Sequence, residues 1–271
     1  MFQRRGNEGA SEHRTILASQ IPFCRINDSG QPFEGAESQV ETIILIHGAL
    51  GSASQVAPLG ALLGDAYDVH VVELEGHGDT PATANAYHID RFAQNVRDFM
   101  VARHIERATI FGYSMGGYVA LHLAAESPEL VTSVATLGTK LAWTSDVAAR
   151  ETSRLDAAVI RAKVPKFADL LERRHAGAGG WEGVLKKTAA LMTELGDRPT
   201  VDAVLLSRIR QRVLLMVGDR DNVVTIDETA AAARELARGE LGVLPNTAHP
   251  FEQVRLSLVA MLLRDFSAQG I

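Results

Sequence analysis

The chain has almost no cysteine, no long apolar run and no excess of positive charge, and each lack removes a class of function. One cysteine, Cys24, occurs among 271 residues. It excludes an internal disulfide and suggests a reducing compartment, and as a lone thiol it reads as a small apolar filler. No apolar stretch is long enough to span a bilayer. The opening Met1-Phe2-Gln3-Arg4-Arg5-Gly6-Asn7 carries charge without an apolar segment behind it, which argues against a secretory signal. Polar residues up to about His13 are expected to fray. A net charge of −6 leaves no footprint for nucleic acid or an anionic membrane. Neither an HExxH pattern nor paired cysteines occur, so no metal and no cofactor is expected. Internal repeats and charge blocks are also missing. The default that remains is a cytoplasmic, soluble protein, its oligomeric state open.

With 46% hydrophobic and 22% charged residues, the chain has the make-up of an ordinary globular protein. Short apolar runs at Thr42–Ile46, Val69–Leu74, Ala108–Phe111, Val131–Leu137, Arg212–Val217 and Leu241–Leu244 read as strands. Between them, helical patterns fall near Gln55–Leu63, His88–His104, Met115–Glu126, Asp227–Leu236 and Glu252–Phe266, with Pro128 stopping the third. Thr15–Gln20 and Phe23–Ile26 read as an opening hairpin. This alternation predicts an α/β fold, a mostly parallel sheet with helices on both faces. It breaks from Lys140 to Ala203, where only helical stretches appear (Val147–Arg161, Pro165–His175, Trp181–Leu195). The expected organisation is a core of residues 1–139 and 204–271, with a helical insertion at 140–203 lying over one end of the sheet. The glycine-dense Ala176–Gly180 follows a helix rather than a strand, so it reads as a connector and not a phosphate loop.

Chemistry concentrates at Ala108-Thr109-Ile110-Phe111-Gly112-Tyr113-Ser114-Met115-Gly116-Gly117. A β-branched run feeds Gly-x-Ser-x-Gly, and a helix follows at once. A serine on such a turn takes a strained backbone that lifts its hydroxyl over the strand end. The N–H of Met115 then points where negative charge develops. A nucleophile on such an elbow is followed in the chain by an acid and then a histidine. Of nine histidines, only His249 lies beyond both the serine and the late strand, in a loop suited to a general base. The run Val213–Asp221 ends in two acids, Asp219 and Asp221. Asp221 is preferred, because Asp219 directly follows Gly218 and is placed to brace the turn. A second oxyanion donor is expected after Ile43–Ile46, where His47-Gly48-Ala49 allows close backbone approach, and the N–H of Ala49 is the choice. His47 itself reads as a strand-end histidine bonded to loop backbone, with a second base as the alternative.

Taken together, His47-Gly48, Gly76-His77-Gly78, the elbow Gly112–Gly116, Gly218-Asp219-Arg220-Asp221 and His249 make the chain resemble the α/β-hydrolase family from about Thr15 onward. Five motifs in the family's order make the match specific. Ala248 and Glu75 depart from it, standing where the family often has glycine and proline. The resemblance implies a Ser114–His249–Asp221 triad, oxyanion donors Met115 and Ala49, and a cap at the insertion. The expected activity is that of a carboxylesterase-like serine hydrolase cleaving an ester, or related acyl bond, of a small to medium apolar substrate. Carbon–carbon bond hydrolysis or a lyase reaction by the same triad is the alternative, and a non-catalytic ligand-binding receptor a further one. Substrate contacts are sought at Trp143, Phe167 and Trp181, with Leu171 and Met192; the preferred alternative for each is the insertion's own core or its packing face on the main domain. The insertion carries eleven basic and nine acidic residues, a net of +2 against −8 elsewhere, which leaves Lys140 and His175 as residues to examine.

Overall fold

A computed structural model describes residues 40–83 and 86–269. The expected opening hairpin and Cys24 lie outside the described residues. Six strands, β1 (Glu41–Ile46), β2 (Tyr67–Val72), β3 (Ala108–Tyr113), β4 (Val131–Leu137), β5 (Arg212–Gly218) and β6 (Gly239–Leu244), form one sheet in the order β2-β1-β3-β4-β5-β6. Every pairing is parallel. Helices α1 (Ala53–Leu63), α2 (Ile89–Ala102) and α3 (Met115–Glu126) alternate with the first strands, α8 (Ala203–Arg208) precedes β5, and α9 (Ile226–Glu235) and α10 (Leu256–Ala268) complete the core.

The strand runs are continuously apolar because both sheet faces are covered. Successive side chains point to opposite faces. Ile43, Leu45, Phe111, Tyr113, Leu214 and Met216 therefore pack with residues of α1 and α10. Ile44, Ile46, Ile110, Val134, Val213 and Leu215 pack with α2, α3, α8 and α9. Helix α3 is buried from Gly116 to Ala125, which explains its Ala- and Leu-rich composition.

Between β4 and α8 the chain forms α4 (Ser145–Thr152), α5 (Ala157–Lys163), α6 (Pro165–Arg174) and α7 (Trp181–Asp197). Val184, Leu191 and Leu195 of α7 join the main core. Ile160, Ala168, Leu171, Trp181 and Leu185 form a small core of their own.

Several boundaries differ from those expected along the chain. The helix expected over Val147–Arg161 is two, because the Asp156 carboxylate accepts from the N–H of Val159 at 2.9 Å and starts α5 afresh. The α8 helix is an addition; its signal is Asp202, which caps it through the N–H of Leu205 at 2.8 Å. Strand β2 ends at Val72 rather than Leu74 and begins at Tyr67, whose buried ring donates its hydroxyl to the Leu263 carbonyl at 2.9 Å. The last helix starts at Leu256, after one short 3-10 turn at Phe251–Gln253. No helix among the described residues is long and apolar enough to cross a membrane.

Phe111 is fully buried in the centre of the sheet. Phe111→Ala should lower stability by about 3–5 kcal/mol, read as a fall in the urea midpoint at unchanged slope.

Candidate active site

Strand order determines where a site can form. The chain leaves β1 toward β2 on one side and returns to β3 on the other. The connections after β1 and β3 therefore diverge, and a crevice opens at their C-terminal ends. Ser114 follows β3 at that crevice, and His47–Leu50 follows β1.

Ser114 has φ 50° and ψ −115°, a left-handed backbone that a non-glycine residue adopts at a cost of about 1–3 kcal/mol. Its surroundings hold it there. Its N–H donates to the Leu137 carbonyl at 2.8 Å, and its carbonyl accepts from the N–H of Gly117 at 3.0 Å and the Thr139 hydroxyl at 3.1 Å. Gly112 and Gly116 are required by close approach rather than by their own torsions. A Cβ on Gly112 would strike the Gly116–Gly117 backbone, and one on Gly116 would strike the Ile46 and His47 carbonyls.

The structure brings Ser114, His249 and Asp221 together. His249 Nδ1 donates to Asp221 Oδ2 at 2.8 Å. That bond selects the tautomer whose Nε2 is free to accept, and Nε2 lies 3.4 Å from Ser114 Oγ. Such a contact is long, as nucleophile–base contacts often are before substrate binds. The other Asp221 oxygen accepts from the N–H groups of Val223 and Val224, each at 2.8 Å. Burial opposes the charge of Asp221, but these bonds and His249 outweigh it and hold its carboxyl below the usual value. Asp219 faces elsewhere and accepts from the N–H of Thr247 at 3.1 Å, bracing the loop that carries His249. Tyr113 donates its hydroxyl to the His249 carbonyl at 2.7 Å. Burial, with Glu252 and Asp221 nearby, raises that phenol well above its ordinary value and keeps it a donor.

The N–H of Met115 opens α3, and the N–H of Ala49 lies in the turn after β1. Among the described residues neither donates to a protein acceptor. Both residues line a cavity of about 310 Å³ together with Ser114 and His249. Two free N–H groups beside a serine–histidine pair can stabilise an oxyanion on a carbon that the serine attacks. His47 is fully buried. Its Nδ1 bonds the Gly48 carbonyl at 2.9 Å, and Nε2 lies 3.2 Å from the Leu74 nitrogen and 3.0 Å from Glu73 Oε1, which places it under the loop rather than in the cavity.

Trp143, Phe167 and Met192 line the cavity. Trp181 and Leu171 do not; both are buried in the insertion's own core, with Arg161 lying 5.1 Å over the Trp181 ring. Lys140 reaches the cavity wall but is paired with Glu228 at 2.8 Å, both side chains being 9% exposed. His175 is buried, accepting from the Gly78 N–H at 3.1 Å and donating to the Leu50 carbonyl at 3.1 Å. Burial pushes its pKa below the ordinary histidine value.

Sequence reasoning missed Glu151, Arg154, Arg174 and Glu252, which also line the cavity. They look like ordinary solvated charges along the chain. They meet as pairs: Arg154 with Glu151 at 3.0 Å and Arg174 with Glu252 at 3.1 Å. Tyr118, which the motif leaves unassigned, lines the cavity and accepts from the Val201 N–H at 2.8 Å; burial pushes its phenol up to about 12.

A family profile for the alpha/beta hydrolase fold matches residues 41–202. The chain is 28% identical over 248 residues to a pimeloyl-[acyl-carrier protein] methyl ester esterase of Chromobacterium violaceum, an alignment covering 84% of this chain and 95% of that one. A protein of the same description from Neisseria meningitidis is also 28% identical, over 84% of this chain and 77% of its own. In fold, a thermophilic esterase from Thermogutta terrifontis superposes with a TM-score of 0.69 at 20% identity, over 85% of this chain and 90% of that one. The enol-lactonase of Burkholderia xenovorans gives 0.68 at 20% identity, over 86% and 94%.

Because its folded-state pKa is lowered, the Asp221 carboxylate stabilises the fold above its unfolded value of about 3.8. That contribution is lost as pH falls through the lowered folded value. The stability difference between wild type and Asp221→Asn, from urea midpoints, should therefore be largest near neutrality and shrink below about pH 4.

Proposed function

This chain belongs to the α/β-hydrolase family, and from that premise we propose that it is an esterase that cleaves a carboxylic ester with an apolar acyl group through Ser114, His249 and Asp221. The observation that carries the proposal is the hydrogen-bonded line from Asp221 to His249 to Ser114, with its 2.8 and 3.4 Å separations, beside two unpaired backbone N–H groups. In the reaction, Ser114 Oγ attacks the ester carbonyl while His249 Nε2 takes its proton. Asp221 holds the imidazole in the required tautomer and stabilises its charged form. The carbonyl oxygen becomes an oxyanion facing the N–H groups of Met115 and Ala49, each donor of this kind being worth about 3 kcal/mol. His249 then returns the proton to the departing alkoxide. A water, activated by the same histidine, hydrolyses the acyl-enzyme and frees Ser114.

The cavity supports an apolar acyl group of modest length. Leu191, Met192, Leu195 and Trp143 supply apolar wall, and about 310 Å³ accommodates a medium acyl chain. The curated relatives named for a methyl ester of a carrier-bound acyl chain support an ester on such a chain. The ester reading is favoured over cleavage of a diketone-like acid by the charges around the cavity. Lys140, Arg154 and Arg174 are each paired with a carboxylate, which offsets the positive charge that a substrate carboxylate would need. A binding role without turnover is disfavoured by the same hydrogen-bonded line, which ligand storage does not require.

A fluorophosphonate probe should label the wild-type protein, and Ser114→Ala should abolish labelling; a labelled Ser114→Ala protein refutes the nucleophile. On an activated aryl ester such as p-nitrophenyl butyrate, His249→Ala should lower kcat by about 10⁴–10⁶-fold. Turnover near wild type in that variant excludes His249 as the base.

A further inference from the structure

Resting on the reading of Ser114 as nucleophile and the Ala49 N–H as an oxyanion donor, we propose that Arg174 is a positioning residue for that donor. Through it, the helical insertion shapes the reacting centre as well as enclosing substrate. In the loop after β1, Gly48-Ala49-Leu50-Gly51 is a turn closed by the Gly51 N–H donating to the Gly48 carbonyl at 3.0 Å. Its third residue, Leu50, has φ 58°. Turns with a positive φ at that position normally place glycine there. Leucine is strained in this conformation, and the turn can relax by rotating Leu50 into the right-handed region. That rotation re-aims the peptide groups beside Ala49.

Two donors from the insertion oppose it. The Leu50 carbonyl accepts from Arg174 Nη1 at 2.9 Å and from His175 Nε2 at 3.1 Å, filling both of its lone pairs. His175 is locked as a donor on that nitrogen, because its Nδ1 accepts from the Gly78 N–H at 3.1 Å. Arg174 does more. Its other arm, Nη2, donates to Glu252 Oε1 at 3.1 Å. Glu252 lies three residues beyond His249 and also accepts from Gln55 Nε2 at 3.2 Å. One guanidinium thus joins the turn bearing the Ala49 N–H to the segment bearing His249. The Arg174 side chain is 8% exposed, so little water competes at the Leu50 carbonyl, whereas Glu252 is 52% exposed and its end of the bridge meets solvent. The planar fork of arginine suits this bridge, since its two arms diverge at a fixed angle, whereas a lysine ammonium reaches only one of the two acceptors.

The test uses the full chain with p-nitrophenyl butyrate as substrate and a trifluoromethyl ketone as a probe that forms a tetrahedral oxyanion adduct on Ser114. Arg174→Met keeps the apolar stem and removes both arms. It should lower kcat by about 10–100-fold, less than the full loss of an oxyanion donor. KM should stay within about twofold, and affinity for the ketone should fall by the same factor as kcat/KM. Arg174→Lys should recover part of both losses, and if the methionine variant does not fold, the lysine variant decides by the same assays. A wild-type kcat in these variants, or a loss confined to KM or to thermal stability, overturns the positioning role. Loss of kcat without matching loss of ketone affinity overturns it too. Ser114→Ala is run alongside. If it is inactive while Arg174→Met is unimpaired, only this inference fails; if it keeps activity, the underlying reading fails and takes this one with it.

Discussion

The reversal of strand order between β1 and β3 is the constraint on which the rest of the molecule depends. Two adjacent parallel strands whose connections run to opposite sides leave a crevice at their C-terminal ends. Into that crevice β3 delivers Ser114 in a left-handed conformation and β1 delivers the turn containing Ala49. The strain at Ser114 persists because the β3–β4 ladder, Thr139 and the closely packed Gly112 and Gly116 leave its backbone no alternative. His249 and Asp221 come from the ends of β6 and β5, farther along the same edge. Every group in the site is thus set by a strand end, and the rigidity of a doubly covered sheet passes into the geometry of the site.

The insertion between β4 and α8 adds a second layer of control. Its α7 helix joins the main core, and its α6 helix ends in Arg174 and His175, both bonded to the Leu50 carbonyl. The left-handed residues Ser114 and Leu50 therefore stand on opposite sides of the crevice, one held by the sheet and the other by the insertion. The basic side chains at the cavity wall, Lys140, Arg154 and Arg174, are each paired with a carboxylate.

Much of this was legible along the chain. Five motifs in fixed order carried the fold and the three side chains that the structure brings together, because a strand end, a turn and a helix start each have local chemistry. The choice of Asp221 over Asp219 rested on one glycine, and the structure places Asp221 against His249 and turns Asp219 to Thr247. Within the insertion local chemistry said less. Trp143, just before α4, and Trp181, at the start of α7, are the same residue type, yet one lines the cavity and the other fills a small core. Helical periodicity identifies an apolar face without saying what it faces. Arg174, at the C-terminal end of a helix, looks like a solvated partner of the helix dipole.

The sequence by itself determined the alternation of strands and helices, the strained elbow and the chain order of serine, acid and histidine, since each depends on residues a few positions apart. Only the tertiary structure decided which charges are paired, which aromatics face the cavity and which side chains hold the Leu50 turn. Those outcomes depend on segments such as Leu50, Arg174 and Glu252, which lie 78 or more residues apart and meet only when the insertion packs across the end of the sheet.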